Sequence, residues 1–98
     1  MKIEKVTEDK TLKIALEGRL DTLTAPELEK ELEASMPDAQ ALTLDLKNLE
    51  YISSAGLRVL LAAHKTMAGK SGMKLTNVNE IVKEVLDITD FSSILTIE

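Results

Sequence analysis

Ninety-eight residues, 44% hydrophobic and 30% charged, suffice for one domain with its own core and do not have the composition of a disordered chain. The absence of cysteine excludes a disulfide framework, a thiol nucleophile and any Cys-based zinc or iron–sulfur site. Twelve basic against 17 acidic residues give a net charge of −5, and Tyr51 and Phe91 are the only aromatics, so neither the basic patch nor the stacking platform of a nucleic-acid-binding protein is present.

No apolar run approaches the roughly 20 residues that span a bilayer. The start, "MKIEKVTEDK", is charged and lacks the apolar block of a signal peptide. A cytoplasmic protein without membrane insertion or direct nucleic-acid binding is expected.

Along the chain, "KIEKVTE" and "TLKIALEG" both alternate apolar and polar residues, loosely through Ile3 and Val6 and cleanly through Leu12, Ile14 and Leu16. With the polar "EDK" between them they predict a hairpin. "TAPELEKELEASMP" predicts a helix: Thr24 as N-cap, Glu27 completing a capping box, Pro26 in the first turn, Leu23 stapled onto Leu28, a buried stripe of Leu28 and Leu32, and Pro37 as the stop. "ALTLDLKNL" predicts a third strand with Leu42, Leu44 and Leu46 on one face, ending near Lys47 to Leu49. "YISSAGLRVLLAAHK" then enters a second helix. Its stripe of Leu57, Leu60, Leu61, His64 and Ala68, broadened by Val59, Ala62 and Ala63, presses on a sheet, and Gly69 or Gly72 closes it. "GMKLTNV" is a short fourth strand. "NEIVKEVLDIT" is a third helix, capped by Asn79, with Ile81, Val82, Val85 and Leu86 inward, and "SSILTIE" is a last strand.

The order β-β-α-β-α-β-α-β predicts an α/β fold: a mixed four- to five-stranded sheet, antiparallel at the leading hairpin, parallel across the right-handed crossovers, with helices mainly on one face. The other face must be covered, tolerate water or bind something.

The chemistry-bearing motifs are few. None of the four glycines (Gly18, Gly56, Gly69, Gly72) falls in a phosphate-cradling pattern. His64, the lone histidine, reads as a half-buried packing group, with no second histidine to build a metal site; no G-x-S-x-G elbow is present. No metal, cofactor or catalytic residue is expected, and the chain is not read as an enzyme. Asp21 stands between the second strand and the cap at Thr24: it either accepts turn amides, as aspartates do, or belongs to a functional surface near Ser53 and Ser54. One of those two serines caps the second helix, worth about 1 kcal/mol against alanine. The cap leaves the other serine, and the smallness of Ser-Ser-Ala-Gly, unexplained. Small residues admit a close partner surface, and a phosphate at a helix N-terminus is electrostatically tolerated.

Three blocks carry a family resemblance. "LEGRLDTLTAPELEKEL" resembles the G-x-L-D-x-x-T/S segment, "LTLDLKNLEYISSAGLRVLLAAHK" the strand and D/S-S-x-G-L junction, and "MKLTNVNEIVKEVLDITDFSSILTIE" the last strands and helix, of STAS domains, the fold of bacterial anti-sigma factor antagonists that also occurs on sulfate transporters. Together they span nearly the whole chain and imply a single STAS-like domain over 1–98. The resemblance implies an anti-sigma factor antagonist working by partner switching. Ser54, two residues before Gly56, would be the phosphoacceptor. The unphosphorylated form would bind an anti-sigma factor that is also a serine kinase, free a sigma factor, and let go when phosphorylated; a phosphatase is a further implied partner. Asp21, Thr22, Ser53, Ser54, Ala55, Gly56 and Leu57 are the implied contact residues, and a monomer or weak dimer the implied state. Ser53 departs from the best-studied form of the pattern, which has Asp before the phosphoacceptor, and matches its tolerated serine variant. The alternative is a non-switched STAS subunit of a transporter or signalling scaffold.

Overall fold

The computed structural model describes residues 1–98. Strands β1 (Lys2–Glu8) and β2 (Thr11–Leu20) form the leading hairpin. Its two-residue loop, Asp9 and Lys10, has φ of 47° and 68°, the pair of left-handed residues that a tight hairpin turn matched to strand twist requires. Helix α1 (Ala25–Ser35), a 3-10 turn over Met36–Asp38, β3 (Ala41–Ile52), α2 (Ser54–Ala68), β4 (Met73–Thr76) and α3 (Glu80–Ile88) follow. The sheet order is β1-β2-β3-β4, with β1 antiparallel to β2 and the β2-β3 and β3-β4 pairs parallel. Each crossover advances one strand in the same direction, which places the connecting helices on one face.

The alternation in the strands then sorts itself. Leu12, Ile14 and Leu16 of β2 and Leu42, Leu44 and Leu46 of β3 are buried beneath the helices with Leu28, Leu32, Leu60, Met67, Leu75, Val82 and Leu86 in one apolar cluster. The opposite face stays open. Glu4, Val6, Lys13, Ala15, Thr43, Asp45, Lys74 and Thr76 line a broad depression of about 900 Å³ there, and their small or charged side chains let it face water.

Strand β3 runs three residues beyond Leu49, the furthest end that its alternation predicts. The register against β2 slips twice, between Ala15/Glu17 and Gly18/Arg19, and both times β3 holds the extra residue. Each bulge changes the inward spacing from two to three, so the buried series continues as Leu46, Leu49, Ile52 while β2 keeps its own frame to Leu20. Asn79 repairs the polar damage. Its Nδ2 donates to the Leu49 carbonyl at 2.7 Å and reaches the Leu46 and Lys47 carbonyls at 3.3 and 3.4 Å, while its Oδ1 accepts from the Val82 amide at 3.0 Å and caps α3.

Other expectations change in detail. On α2 the buried set is Gly56, Leu57, Val59, Leu60, Ala63 and Met67; Leu61 and His64 are half-buried and Ala68 is exposed, so the inward stripe lies one residue away from the predicted one. The Nδ1 of His64 is buried without a hydrogen-bond partner. The helix ends at Ala68 with Gly69 as its C-cap, and Gly72, at φ 97°, closes the turn that follows by donating its amide to the Met67 carbonyl. On α3 only Val82 and Leu86 are buried; Val85 is half-buried and Ile81 is outward, 59% exposed, because the nine-residue helix meets β3 and the 3-10 turn after it along one narrow stripe. The last strand shrinks to a single parallel bridge, Leu75 to Ile97, after a 3-10 turn at Phe91–Ser93.

Asn79→Ala removes a helix cap and strips the bulge carbonyls at once. Urea unfolding should show a loss of about 1–2 kcal/mol, the upper part of the range for caps; a loss below about 0.3 kcal/mol would contradict the double role.

Candidate functional site

Gly56 decides where α2 starts. It lies buried in the first turn, and a Cβ built there would fall 2.6 Å from Leu20 Cγ and 3.0 Å from Ile52 Cγ1, below the distances side chains tolerate. The helix backbone therefore rests directly on the last inward residues of β2 and β3, which face each other as Leu20 and Ile52 in the ladder. The Ser53 amide continues that ladder by donating to the Leu20 carbonyl at 2.9 Å. The β2–α1 loop and the β3–α2 junction consequently leave the sheet side by side. Asp21 and Ser53 follow directly on the paired Leu20 and Ile52, the juxtaposition that sequence spacing alone left open.

The two serines separate. Ser53 is extended (φ −99°, ψ 176°), half-buried, and its Oγ accepts from the Gly56 amide at 3.4 Å: it is the N-cap. Ser54 is the first helical residue and is exposed. Ala55 is half-buried and Leu57 buried, so of the predicted contact residues after Ser53 only Ser54 and the edge of Ala55 are presented outward.

Asp21 organises the neighbouring loop. Its Oδ1 accepts from the Leu23 amide at 3.0 Å and the Thr24 amide at 3.2 Å, and its carbonyl accepts from the Ala25 amide at 2.8 Å. The expected capping box at Thr24 and Glu27 does not form: Thr24 makes no side-chain cap. Its Oγ1 turns back, accepting from the Asp21 amide at 2.8 Å and donating to the Arg19 carbonyl at 2.7 Å. Nor does Leu23 staple onto Leu28. The loop that Asp21 closes points Leu23 outward, where it is 86% exposed, beside the exposed Thr22. Partial burial favours the neutral acid at Asp21, but the amides of Thr24 and Leu23, the Thr24 hydroxyl and the Arg19 guanidinium outweigh it and hold the carboxyl below the usual carboxylate range.

Two members of this surface escaped the sequence reading. The second bulge pairs Arg19 with Tyr51, and the guanidinium stacks over the ring at 4.3 Å while its Nε stands 3.8 Å from Asp21 Oδ2. Only the two register slips bring these residues together, so no spacing rule could have paired them. No cluster of three His, Cys, Asp or Glu side chains converges in the chain, and no helix is long and apolar enough to cross a membrane.

Two tests follow from this geometry. Gly56→Ala should destabilise the chain by about 1–3 kcal/mol in urea, the cost of overpacking, despite alanine's better helix propensity; Leu20→Ala in the same chain should recover part of that loss, and strictly additive effects would contradict the contact. Because the Asp21 pKa is lower folded than unfolded, its contribution is complete above an unfolded value of about 3.9 and disappears as pH falls through the folded one. Wild type should therefore lose more stability than Asp21→Asn on acidification below about pH 4; parallel acid profiles would show that the loop does not depend on the carboxylate.

Comparison with known proteins places this arrangement. The STAS domain family model matches residues 2–98. BtrV of Bordetella bronchiseptica is 38% identical over 98 residues, covering 95% of this chain and 84% of its own length. The anti-sigma-B factor antagonist of Bacillus subtilis is 29% identical over 87 residues, covering 88% and 80%. Among solved structures, an anti-sigma factor antagonist from Mycobacterium paratuberculosis superposes with a TM-score of 0.89 at 23% identity, covering 98% of this chain and 83% of its own. The phosphorylated form of the Bacillus cell fate determinant SpoIIAA superposes at 0.76 and 14% identity, covering 99% and 91%. The chain belongs to the STAS domain family.

Proposed function

We propose that the protein is an anti-sigma factor antagonist switched by phosphorylation of Ser54. The observation that carries the reading is the division of labour between the serines: Ser53 is occupied as the cap, and Ser54 stands exposed at the head of α2 beside the Asp21 loop. The unphosphorylated surface combines small residues with the exposed Leu23 and Tyr51, an apolar footing for a partner helix or loop. The partner is an anti-sigma factor that is also a serine kinase, and binding it frees the sigma factor. That the family includes named anti-sigma factor antagonists, and that one fold neighbour was solved phosphorylated, supports this choice.

In the switching step the Ser54 Oγ attacks the γ-phosphorus of ATP held by the kinase. The bond from that phosphorus to the β,γ-bridging oxygen breaks, ADP leaves and the hydroxyl proton is lost. The product carries about 1.5 to 2 added negative charges where the partner had docked. Asp21 is nearby and already ionised, so like-charge repulsion adds to the loss of fit. A phosphatase would reset the switch.

A second reading, a non-switched STAS subunit of a transporter or signalling scaffold, draws on Ser53, which stands where the best-studied form of the pattern has Asp. Incubation with the cognate kinase and ATP, read by mass spectrometry, separates the two. One phosphate on Ser54, absent from Ser54→Ala, is the expected result, together with at least about tenfold weaker kinase binding by Ser54→Asp, the equivalent of about 1.4 kcal/mol. Full phosphorylation of Ser54→Ala at another residue would overturn the Ser54 assignment.

A further inference from the structure

The chain has two arginines, Arg19 and Arg58, and both lie at the Ser54 end of the fold. Their situations differ. Arg19 is engaged by the Tyr51 ring and by Asp21. Arg58 is exposed, four residues after Ser54 in α2, and joins none of the six ion pairs of the chain. Residues four apart on a helix are surface neighbours, with Cβ atoms about 5–6 Å apart, and an anion N-terminal to a cation is the favourable order. A guanidinium presents a planar fork that matches phosphate oxygens two at a time.

The other charged groups around this position are mostly of the wrong sign to receive a phosphate. Glu50 precedes Tyr51 at the end of β3, and Asp21 lies across the strand ends. Further along α2, from Val59 to Thr66, the cleft against α1 adds Glu29 and Glu33. Of the other cations at this end, Arg19 is paired with Asp21 and Lys2 with Glu4, and the N-terminal Met1 lies beside Gly18.

We propose that Arg58 is the second half of the switch. It is the internal clamp for the phosphate on Ser54, and in the unmodified protein it is the free cation offered to a carboxylate of the partner. Phosphorylation then acts twice on one surface, adding negative charge at Ser54 and withdrawing Arg58 into an intrahelical ion pair. The partner group that meets Arg58 is accordingly a single carboxylate, set in a surface that is otherwise complementary to the acidic surroundings of Ser54. This inference rests on the Ser54 reading above and assigns its regulation.

The test installs phosphoserine at position 54 during synthesis and follows its second ionisation by 31P NMR at low salt. A neighbouring guanidinium favours the dianion, so the phosphate of the wild-type chain should titrate about half a pH unit below that of Arg58→Gln, with Arg58→Lys between them. The difference should largely vanish in 1 M salt, where the Debye length is about 3 Å. Because Arg19, Asp21, Glu29, Glu33 and Glu50 are common to all three proteins, the difference isolates position 58. Identical titrations would overturn the clamp whatever the kinase does. Failure of the kinase to use Ser54 would overturn the reading above and leave the titration difference in place.

Discussion

The missing side chain at Gly56 is what the functional end of the molecule depends on. Without a Cβ, the first turn of α2 settles onto Leu20 and Ile52, the last inward residues of the two central strands. Any larger residue would have to lift the helix or displace a fully buried leucine. With the helix seated, its cap at Ser53 remains in the β-ladder through the Leu20 carbonyl, and Ser54 emerges beside the Asp21 loop. One close approach thus fixes three things: the start of the helix, which serine is spent on capping, and which neighbouring loop shares the surface.

The two bulges of β3 supply the other half of the geometry. They carry β3 to the same height as β2 even though β3 spends two more residues doing so, and they turn Tyr51 onto Arg19. A regular β3 would place different side chains at the junction. The local loss of ladder pairing is made good by Asn79, so the third helix is tied to the strand that delivers the serines. Asp21 does the equivalent work on the other side, holding its loop with amide bonds and leaving Leu23 in solvent.

Much of this was legible in the sequence where one period dominates. The hairpin, the leucine alternation of β2 and the first half of β3, the three helices and the Asn79 cap all obey local rules, and the structure keeps them. The departures occur where tertiary contact overrides local preference. Leu46, Leu49 and Ile52 recur every third residue, which reads as the end of a strand unless the bulges are known. Thr24 and Glu27 had the pattern of a capping box, yet Asp21 takes the amides and draws the Thr24 hydroxyl away. Leu23 had the staple's position but not its direction. Ile81 followed the apolar pattern of α3 on a helix with too little surface to cover it. At the site, Ser54 and Asp21 were visible as residues, whereas their adjacency and the pairing of Arg19 with Tyr51 came only from parallel registration of two strands far apart in sequence.

Apart from Val6 on the open sheet face, the outward large apolar residues fall into two groups: Leu23 and Tyr51 at the serine end, and Ile81, Ile88 and Ile94 around α3. On the proposed reading the first group, with Ser54, forms one partner surface. The decisive measurement is an amide NMR titration of the isotopically labelled protein with the proposed partner, an anti-sigma factor kinase. Perturbation of residues 19–24 and 51–58 together, with saturation at one common affinity, is the expected result. Perturbation centred on Ile81 to Ile94, with the serine end unmoved, would contradict a partner surface at Ser54.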